Sequence, residues 1–371
     1  MRVIIMISSL AMAGTERNIV SVAPYIKAQG VDLRLVSMNT RRDSPLADEF
    51  ASTGIPRFDL AAKRMTDLKA WQRFTDYLRA EKIDVIHAQD KDTIIFGALA
   101  HHRIGTPTVM SRHVLFEPAD TMRENMRAKM VLTAARRGFD KVIAVSEAVR
   151  QDFSQLADIS LDKIETVYNG LDIDRFMVDT PKATLREKFG WDTDARIITM
   201  VAALRRGKGH EVLFDAVPKI KEAVPNAHIM LIGDGEIAEQ IKTQAQPHSD
   251  VITFLGQRTD VPELLAASDA LTLPSWAEAL PTVLIEAGAA GLPCVSTDVG
   301  GAKEITLDSD TGYIVPPGDS DMLAERLITL LQAPDEAEAM GQRARERVTK
   351  TFTLENQARE TAALYERIAS S

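Results

Sequence analysis

The sequence predicts an α/β protein of two domains, each with a parallel β-sheet covered by helices. Short apolar, β-branched runs alternate with longer amphipathic segments along the whole chain, which is typical of parallel sheets. At 371 residues the chain exceeds the size at which one hydrophobic core usually stops growing. A turn-rich stretch at 169–194 separates two series of predicted strands. We therefore expect two α/β domains with a ligand-binding cleft between them.

Each domain has its own series of predicted elements, with boundaries at 1–172 and 173–353. Strands of the first series are expected near residues 2–8, 31–37, 84–88, 106–111, 141–145 and 164–167. Strands of the second series are expected near 197–202, 227–232, 251–254, 270–273 and 293–296. Amphipathic patterns predict helices at 67–81, 121–137, 211–223 and 354–369. Periodicity does not identify where the last helix packs.

Composition indicates a soluble protein of the cytoplasm. The single cysteine, Cys294, lies in an apolar run and excludes an intramolecular disulfide and a multi-cysteine zinc site. The apolar run at 1–9 is far shorter than the full pattern of a signal peptide. No stretch approaches the roughly 20 apolar residues that cross a bilayer.

The net charge of −9 is unevenly distributed. Residues 1–172 carry +2 and the remainder −11, so an anionic surface would meet the first half more readily. The predicted helix at 121–137 and the residues that follow it, up to residue 141, combine basic with apolar side chains. The basic residues are Arg123, Arg127, Lys129, Arg136, Arg137 and Lys141, and the apolar ones are Met122, Met126, Met130, Val131 and Leu132. Peripheral membrane docking and an ordinary solvated helix face both remain open. We expect no nucleic-acid binding, because no recognition motif accompanies these residues.

Ligands of open parallel sheets bind beyond the carboxyl ends of the strands, where loops lead into helices. The first such junction is 8–17, where small residues follow a strand and a helix begins near Thr15. Gly14 allows close approach of a ligand to the backbone, and the helix start offers N–H groups to an anion. The segment lacks the three-glycine dinucleotide fingerprint. A plain small-residue turn is the alternative.

A second junction, 200–210, is a basic loop that contains glycine between a strand and the next predicted helix. Arg205 and Lys208 are three residues apart and can both bind a pyrophosphate, the arginine in bidentate fashion and the lysine as a point charge. Gly207 lies between them. The alternative is a solvated basic loop.

The third junction, 273–288, is the most informative segment. Pro281 suits the first turn of a helix, which places Glu278 in the preceding loop and Glu286 in the second turn. Glu286 is flanked by apolar residues, so an ionised carboxylate there needs a partner, and a ribose diol would supply two hydroxyl donors. Glu278 lies beside the N–H groups of Ala279 and Leu280, where a donor sugar and its phosphates can meet a helix start.

Four further residues are candidates for contact with a ligand or a metal ion. His113 follows a predicted strand and is a candidate contact for a sugar hydroxyl, with a structural histidine as the alternative. Asn169 precedes a glycine and is first of all a turn signal. Asp90 and Asp92 resemble a metal-binding pair, but no third ligand lies nearby in the sequence, so we do not expect a divalent metal site.

Together these residues resemble the retaining glycosyltransferases of family 4, the glycosyl transferases group 1, which have the GT-B arrangement. Besides the Arg205/Lys208 loop, the resemblance is carried by the segments 13–16, 145–148, 167–172, 233–236, 269–275 and 278–286. It implies two Rossmann-like domains whose parallel sheets face each other across a cleft. It further implies an acceptor domain at 1–172, completed by a returning helix at about 354–371, and a donor domain at 173–353.

The resemblance also implies roles for individual residues. Arg205 and Lys208 would neutralise the diphosphate of the donor. Glu286 would hold the ribose and Glu278 the donor sugar. Further donor contacts are implied at Gly14 (phosphates), His113 (sugar), Gln257 and Arg258 (base, through the backbone), Ala279, Leu280 and Pro281, with Asn169 and Gly233 as additional candidates.

Two positions depart from the common pattern of the family. Ala13 stands where a second glycine is frequent, which still permits close approach. Ala203 occupies the place of the phosphate-binding arginine of many members, so that role moves to Arg205, with Arg206 as the other candidate.

The expected activity is transfer of a hexose from a nucleotide diphosphate sugar to an acceptor, with retention of configuration and without a metal or other cofactor. A UDP-sugar is the first expectation for the donor and GDP-mannose the second. A glycan, lipid-linked or lipopolysaccharide-type acceptor fits the basic first half, as part of polysaccharide biosynthesis. A sugar-nucleotide 2-epimerase and a non-catalytic sugar-nucleotide-binding protein are the alternatives.

Overall fold

The computed structural model describes residues 1–11, 13–39, 44–63, 67–115 and 121–370. It contains two sheets, all of whose strand pairs are parallel, and so confirms the predicted α/β class. The chain divides into two compact units. Unit 1 consists of Met1–Gly170 with Leu354–Ser371, and unit 2 of Leu171–Thr353.

Unit 1 is built on a seven-stranded sheet with the order β3-β2-β1-β4-β5-β6-β7. Its elements are β1 (Arg2–Ile7), α1 (Gly14–Ala28), β2 (Asp32–Ser37), α2 (Leu46–Ser52), β3 (Arg57–Asp59), α3 (Leu68–Glu81), β4 (Val85–Ala88), α4 (Lys91–Ile104), β5 (Thr108–Arg112), α5 (Met122–Arg137), β6 (Lys141–Ala144), α6 (Glu147–Ala157), β7 (Ile164–Thr166) and the C-terminal helix α15 (Leu354–Ala369). The edge strand β3, absent from the predicted series, is only three residues long and half-buried.

Alternate residues of β1 enter two hydrophobic cores on opposite faces of the sheet, as the two-residue period of a strand requires. Val3 and Ile5 pack with α1, α2 and α15. Ile4 and Met6 pack with α3 and α4. The C-terminal helix therefore completes one face of this sheet.

Unit 2 has a six-stranded sheet with the order β10-β9-β8-β11-β12-β13. Its elements are α7 (Lys182–Phe189), β8 (Arg196–Val201), α8 (His210–Ala223), β9 (Ala227–Ile232), α9 (Ala238–Ala245), β10 (Ile252–Gly256), α10 (Val261–Ala266), β11 (Ala270–Leu273), α11 (Thr282–Ala289), β12 (Cys294–Thr297), α12 (Ala302–Ile305), β13 (Gly312–Val315), α13 (Ser320–Gln332) and α14 (Pro334–Thr351). The short edge strand β13 was not predicted.

Side-chain caps explain where several helices begin. Asp67 accepts hydrogen bonds from backbone N–H groups at the start of α3, and Asp90 and Thr121 form capping boxes at α4 and α5. The N-cap residues of α1, α8 and α11, which are Ala13, Gly209 and Pro281, make no side-chain capping hydrogen bond. Within the described ranges, none of the helices is both long and apolar enough to cross a membrane.

Candidate active site

The predicted site residues of unit 2 lie in loops at one edge of its sheet. All strands of this sheet are parallel, so the loops that follow them emerge at the same edge. Since β8 and β11 are neighbours, the loop before α8, with Lys208, and the loop before α11, with Glu278, come together. About 70 residues of chain separate these two loops.

Lys208 and Glu278 form an ion pair. The Nζ atom of Lys208 lies 2.6 Å from Oε1 of Glu278, and the two side chains are 15% and 12% exposed. The hydroxyl of Ser275 donates a hydrogen bond of 2.7 Å to the same oxygen. Two largely buried charges thus have partners, as burial demands. Sequence reasoning missed Ser275, although a hydroxyl three residues before a loop carboxylate is a recognisable signal.

The backbone holds the two loops together. The N–H of Trp276 donates to the carbonyl of Gly207 at 2.9 Å. Gly209 has φ of +73°, and a Cβ there would overlap the carbonyl group of Pro274. Only glycine tolerates both conditions. Gly209 was also missed, although a glycine directly after Lys208 and before a helix was the available signal.

The side chain of Arg205 is exposed on the loop that follows β8. Among the residues with described positions, its guanidinium has no hydrogen-bond or ion-pair partner. The loop itself is anchored, because the N–H of Leu204 donates to the carbonyl of Asp234 at 3.1 Å. A Cβ at Gly233 would overlap the carbonyl of Ala202, so this glycine allows the packing of the two loops.

Gln257 and Arg258 follow β10, which is the outermost strand on one side of the sheet, and both residues are exposed. The guanidinium of Arg258 donates two hydrogen bonds to the carboxylate of Asp260, at 2.8 and 2.6 Å. Its side chain is therefore engaged locally. A contact to a base through the backbone of these residues stays a prediction.

Glu286 lies in the second turn of α11, as expected from Pro281, which is the N-cap residue of this helix. Its carboxylate accepts no hydrogen bond from the described residues. Desolvation raises the pKa of Glu286 to about 7, and the positive charge of Arg175 acts in the opposite direction. Arg175 was not predicted. The site thus holds a carboxylate ready to accept hydrogen bonds from hydroxyl groups.

The segment between Glu278 and Glu286 is firmly placed. Leu280 and Pro281 are buried, and Ala279 is partly buried. The carbonyl of Ala279 accepts a hydrogen bond of 3.1 Å from the N–H of Gly301, in the loop after β12. The N-cap residue Pro281 makes no side-chain capping hydrogen bond, and the N–H of Leu284 donates to the carbonyl of Pro281 at 3.0 Å. The N–H groups of the two residues before Leu284, at the start of α11, are placed to meet a ligand.

Gly14 is the first residue of α1 in unit 1. A Cβ at this position would meet no atom of the described chain within 4 Å, and φ of Gly14 is not in the positive range. The fold itself therefore does not require glycine here. The interpretation that Gly14 makes room for something outside the chain agrees with this.

His113, just after β5, ends a buried chain of polar side chains. Its Nε2 lies 2.8 Å from Oε1 of Gln89, whose Nε2 lies 3.1 Å from Nε2 of His87. The same nitrogen of His87 lies 2.8 Å from the hydroxyl of Ser111, and Nδ1 of His87 lies 2.6 Å from the hydroxyl of Tyr365 on α15. The C-terminal helix is thus connected to His113.

The direction of these hydrogen bonds assigns the proton on His113. An amide oxygen only accepts, so His113 donates its Nε2–H to Gln89. Burial, with a smaller effect of Arg112, lowers the pKa of His113 to about 4, so the ring is neutral at pH 7. Its Nδ1 atom is buried and has no partner in the described chain. This nitrogen is a hydrogen-bond acceptor suited to a hydroxyl group.

Asn169, Asp90 and Asp92 have structural surroundings, and Asp92 forms an ion pair of 2.5 Å with Arg127. Asn169 is half-buried, and the carbonyl of the next residue, Gly170, accepts a hydrogen bond of 3.1 Å from Asn18 on α1. Asp90 caps α4 and accepts a hydrogen bond from the backbone N–H of Ser8 at 2.6 Å. Over the described residues there is no group of three or more His, Cys, Asp or Glu that could hold a metal ion.

Two family models match the chain. The model of glycosyl transferases group 1 matches residues 181–347, and that of glycosyltransferase family 4 matches residues 12–175. The chain is 34% identical over 228 residues to N-acetyl-alpha-D-glucosaminyl L-malate synthase of Bacillus anthracis, with 61% of this chain and 59% of the relative covered. The match thus spans about six tenths of the length of that relative.

Two further similarities extend over more of the chain. A UDP-Gal:alpha-D-GlcNAc-diphosphoundecaprenol alpha-1,3-galactosyltransferase of Escherichia coli is 25% identical over 291 residues, covering 76% of this chain and 75% of the relative. The crystal structure of Anabaena HepE in complex with UDP superimposes with a TM-score of 0.87 over 99% of this chain and 100% of that chain, at 21% identity, which shows a shared GT-B fold. The predicted fold class and family are confirmed: the chain belongs to glycosyltransferase family 4, whose members use nucleotide sugars.

Proposed function

We propose that this protein is a retaining, metal-independent hexosyltransferase that uses a nucleotide diphosphate sugar. The observation that carries this proposal is the assembly of Arg205, Lys208 and Glu278 with two uncapped helix starts at one edge of a parallel sheet. Cations and helix starts suit a diphosphate, and the carboxylate suits sugar hydroxyls.

Charge at the leaving group determines the mechanism. When the anomeric C–O bond breaks, the bonding electron pair stays with the diphosphate, whose negative charge grows. Lys208, Arg205 and the starts of α8 and α11 stabilise this charge, and each cation contributes about 3 kcal/mol to lowering the barrier. The acceptor hydroxyl attacks from the face that the leaving group occupies, as is usually inferred for the family, and its proton passes to the departing diphosphate oxygen. No protein nucleophile takes part.

The remaining roles follow the family resemblance. Glu286 accepts hydrogen bonds from the ribose hydroxyls and Glu278 from the donor sugar. Gly14 lies against the phosphates. His113 accepts a hydrogen bond from a hydroxyl of the transferred sugar through Nδ1, which agrees with its unpartnered state.

UDP is the nucleotide that we propose first, with GDP as the second choice. Support comes from the E. coli relative, which is named for UDP-Gal, and from the HepE structure, which contains UDP. We assign no role to a metal ion or other cofactor, since Arg205, Lys208 and the helix starts supply positive charge at the proposed diphosphate site.

A glycan, lipid-linked or lipopolysaccharide-type acceptor is proposed, with the protein in the cytoplasm at the membrane surface. Support comes from the outer face of α5, where Met122, Met126 and Met130 are 81%, 67% and 42% exposed. Their spacing of four places them on one stripe of the helix, and Lys129 is also exposed. An apolar stripe with basic residues suits an anionic membrane.

A thermal-shift screen of UDP, GDP and ADP tests the donor assignment. A nucleotide at 100 times its dissociation constant should add about 2.7 kcal/mol to the free energy of unfolding. We expect UDP to stabilise most. Stabilisation by none of the three contradicts the proposed donor site.

Turnover is tested by release of UDP from UDP-sugars with an acceptor panel, and the anomeric configuration of the product by NMR. We expect acceptor-dependent release, a retained anomer and an unchanged rate in EDTA. Release without any acceptor would favour an epimerase. Donor binding without turnover would favour a non-catalytic binding protein, an inverted anomer rules out retention, and a rate restored only by Mg²⁺ rules out metal independence.

A further inference from the structure

Unit 1 contains a cavity of about 380 Å³, which is in the size range of small-molecule sites. Its lining has two chemically different sides. One side is polar and consists of the carboxyl ends of β1, β4 and β5 with the start of α1. The other side is apolar and consists of Met110 of β5, Ile94 of α4 and residues from α5 and α6. The first two residues of α4, Lys91 and Asp92, also line the cavity; they are charged and count with the polar side.

The polar side offers acceptors for hydroxyl groups. Glu16, the third residue of α1, is partly buried, and no other side chain pairs with its carboxylate within the described structure. Desolvation raises the pKa of Glu16, its own N–H lowers it, and the charge of Asp90 raises it further. Ser8, Gln89, Asp90 and Arg112 are among the other polar residues that line this side, whereas the Nδ1 atom of His113 is assigned to the donor sugar.

The side chains of the apolar side cannot form hydrogen bonds with the hydroxyl groups of a sugar. Ile94, Met110 and Phe153 are 4%, 1% and 2% exposed, and all three line the cavity. Leu132 and Leu156 also line it and are only partly buried. A wholly polar ligand would leave this surface dry or in contact with a few poorly bonded waters, so a ligand that fills the cavity needs a hydrocarbon portion.

We infer, on the basis of the proposed function, that this cavity binds an amphiphilic acceptor whose hydrocarbon chain lies against α4, α5 and α6 and whose sugar hydroxyls meet Glu16 and Ser8. Helix α5 connects the cavity with the surface. Ala128, Val131 and Leu132 of α5 line the cavity, whereas the exposed methionines of the same helix lie on its opposite face. A chain that arrives from a lipid surface would meet this helix first.

The test uses methyl, hexyl and octyl β-D-glucopyranoside below their micelle-forming concentrations, with protein labelled at the methionine methyl groups for NMR. Titrations give a dissociation constant for each glucoside. Affinity should rise about fourfold per methylene, the fold-change that corresponds to about 0.8 kcal/mol of buried hydrocarbon. The methyl resonance of Met110, assigned from Met110→Leu, should shift with octyl but not with methyl glucoside.

Ala128→Trp fills the cavity, and Met130→Trp adds the same ring to the outer face of α5 as a matched control. We expect only Ala128→Trp to abolish the dependence of affinity on chain length. An affinity independent of chain length overturns the inference. Shifts confined to the exposed methionines would also overturn it, because they would mean that detergent adsorbs to the surface. A dependence of affinity on chain length that persists in Ala128→Trp would overturn it as well.

Two readouts keep the inference separate from the proposed function. The first is the thermal shift with UDP, recorded on the same samples. The second is the titration of wild-type protein with the glucosides, which does not depend on whether a variant folds. A normal response to UDP without any dependence on chain length refutes the amphiphilic acceptor alone. Chain-length dependence without a response to UDP refutes the donor site and leaves the cavity as a lipid-binding site.

Discussion

Replacement of Lys208 by alanine separates the structural role of this residue from its catalytic role. Its ammonium group is 2.6 Å from the Glu278 carboxylate, and both side chains are mostly buried. Removal of the lysine leaves a carboxylate with Ser275 as its hydrogen-bond donor. Loss of one member of a buried pair costs several kcal/mol, and the remaining hydrogen bond reduces this to about 1–3 kcal/mol.

The catalytic effect of Lys208→Ala has a different origin, the loss of a cation next to the departing diphosphate. We expect kcat to fall about 100-fold, or roughly 3 kcal/mol, and UDP to bind more weakly. Glu278→Gln should behave differently, because it releases the lysine from its ion pair. UDP should then bind at least as tightly as to the wild type, while transfer of the sugar falls.

The double variant Lys208→Ala/Glu278→Gln distinguishes these effects. It should regain most of the stability lost in Lys208→Ala, since the stranded carboxylate is gone, but none of the activity. Urea unfolding, calorimetric titration with UDP and a coupled assay of UDP release give the three quantities. Lys219→Ala is the matched control, because Lys219 is a 40%-exposed lysine in an ion pair on α8. UDP affinity and turnover of Lys208→Ala at wild-type levels would refute the reasoning.

Three further predictions concern the remaining charged and polar groups. Arg205→Ala should lower kcat about 100-fold and Arg206→Ala only slightly, both in the UDP-release assay; equal effects contradict the assignment of the phosphate-binding role to Arg205. The raised pKa of Glu286 means that the folded state binds the proton more tightly than the unfolded state. As the pH rises from 4.5 to about 7, the wild type should therefore lose up to about 3 kcal/mol of unfolding free energy relative to Glu286→Gln. Urea unfolding at several pH values measures this, and parallel plots of unfolding free energy against pH for the two proteins would refute it. Tyr365→Phe should lower the free energy of unfolding by about 1–3 kcal/mol and change the imidazole ¹⁵N shifts of His87, whose Nδ1–H loses its acceptor; unchanged shifts refute this hydrogen-bond direction.

Most of the fold was predictable because its signals are local. The continuous apolar run of β1 and the caps at Asp67 and Thr121 lie within single elements, and the predicted bounds of α3 and α5 include the capping residue at each start. The missed strands, β3 and β13, are three and four residues long and lie at sheet edges. Such strands carry too few residues for an alternating pattern.

The candidate site was predictable only as a set of separate junctions. Each junction follows a strand, which the sequence shows, but the contact between Lys208 and Glu278 depends on β8 lying beside β11, which no local pattern shows. Nor does the sequence show that Arg175, more than 100 residues before Glu286, affects the charge of that carboxylate. In contrast, the pairing of Arg258 with Asp260, two residues away, was visible in the sequence.

The shape of the loop after β8 is the basis on which we propose Arg205 in place of the arginine that position 203 lacks. The N–H of Arg205 donates to the carbonyl of Ala203 at 2.8 Å, which folds the backbone back over three residues. Leu204 is buried, whereas its two neighbours are exposed. The Cα atom of Arg205 therefore lies close to that of Ala203, where many other members carry the arginine. Both side chains extend from the exposed side of the loop, opposite the buried leucine. Arg206 lies beyond this turn, which is why we assign the phosphate contact to Arg205.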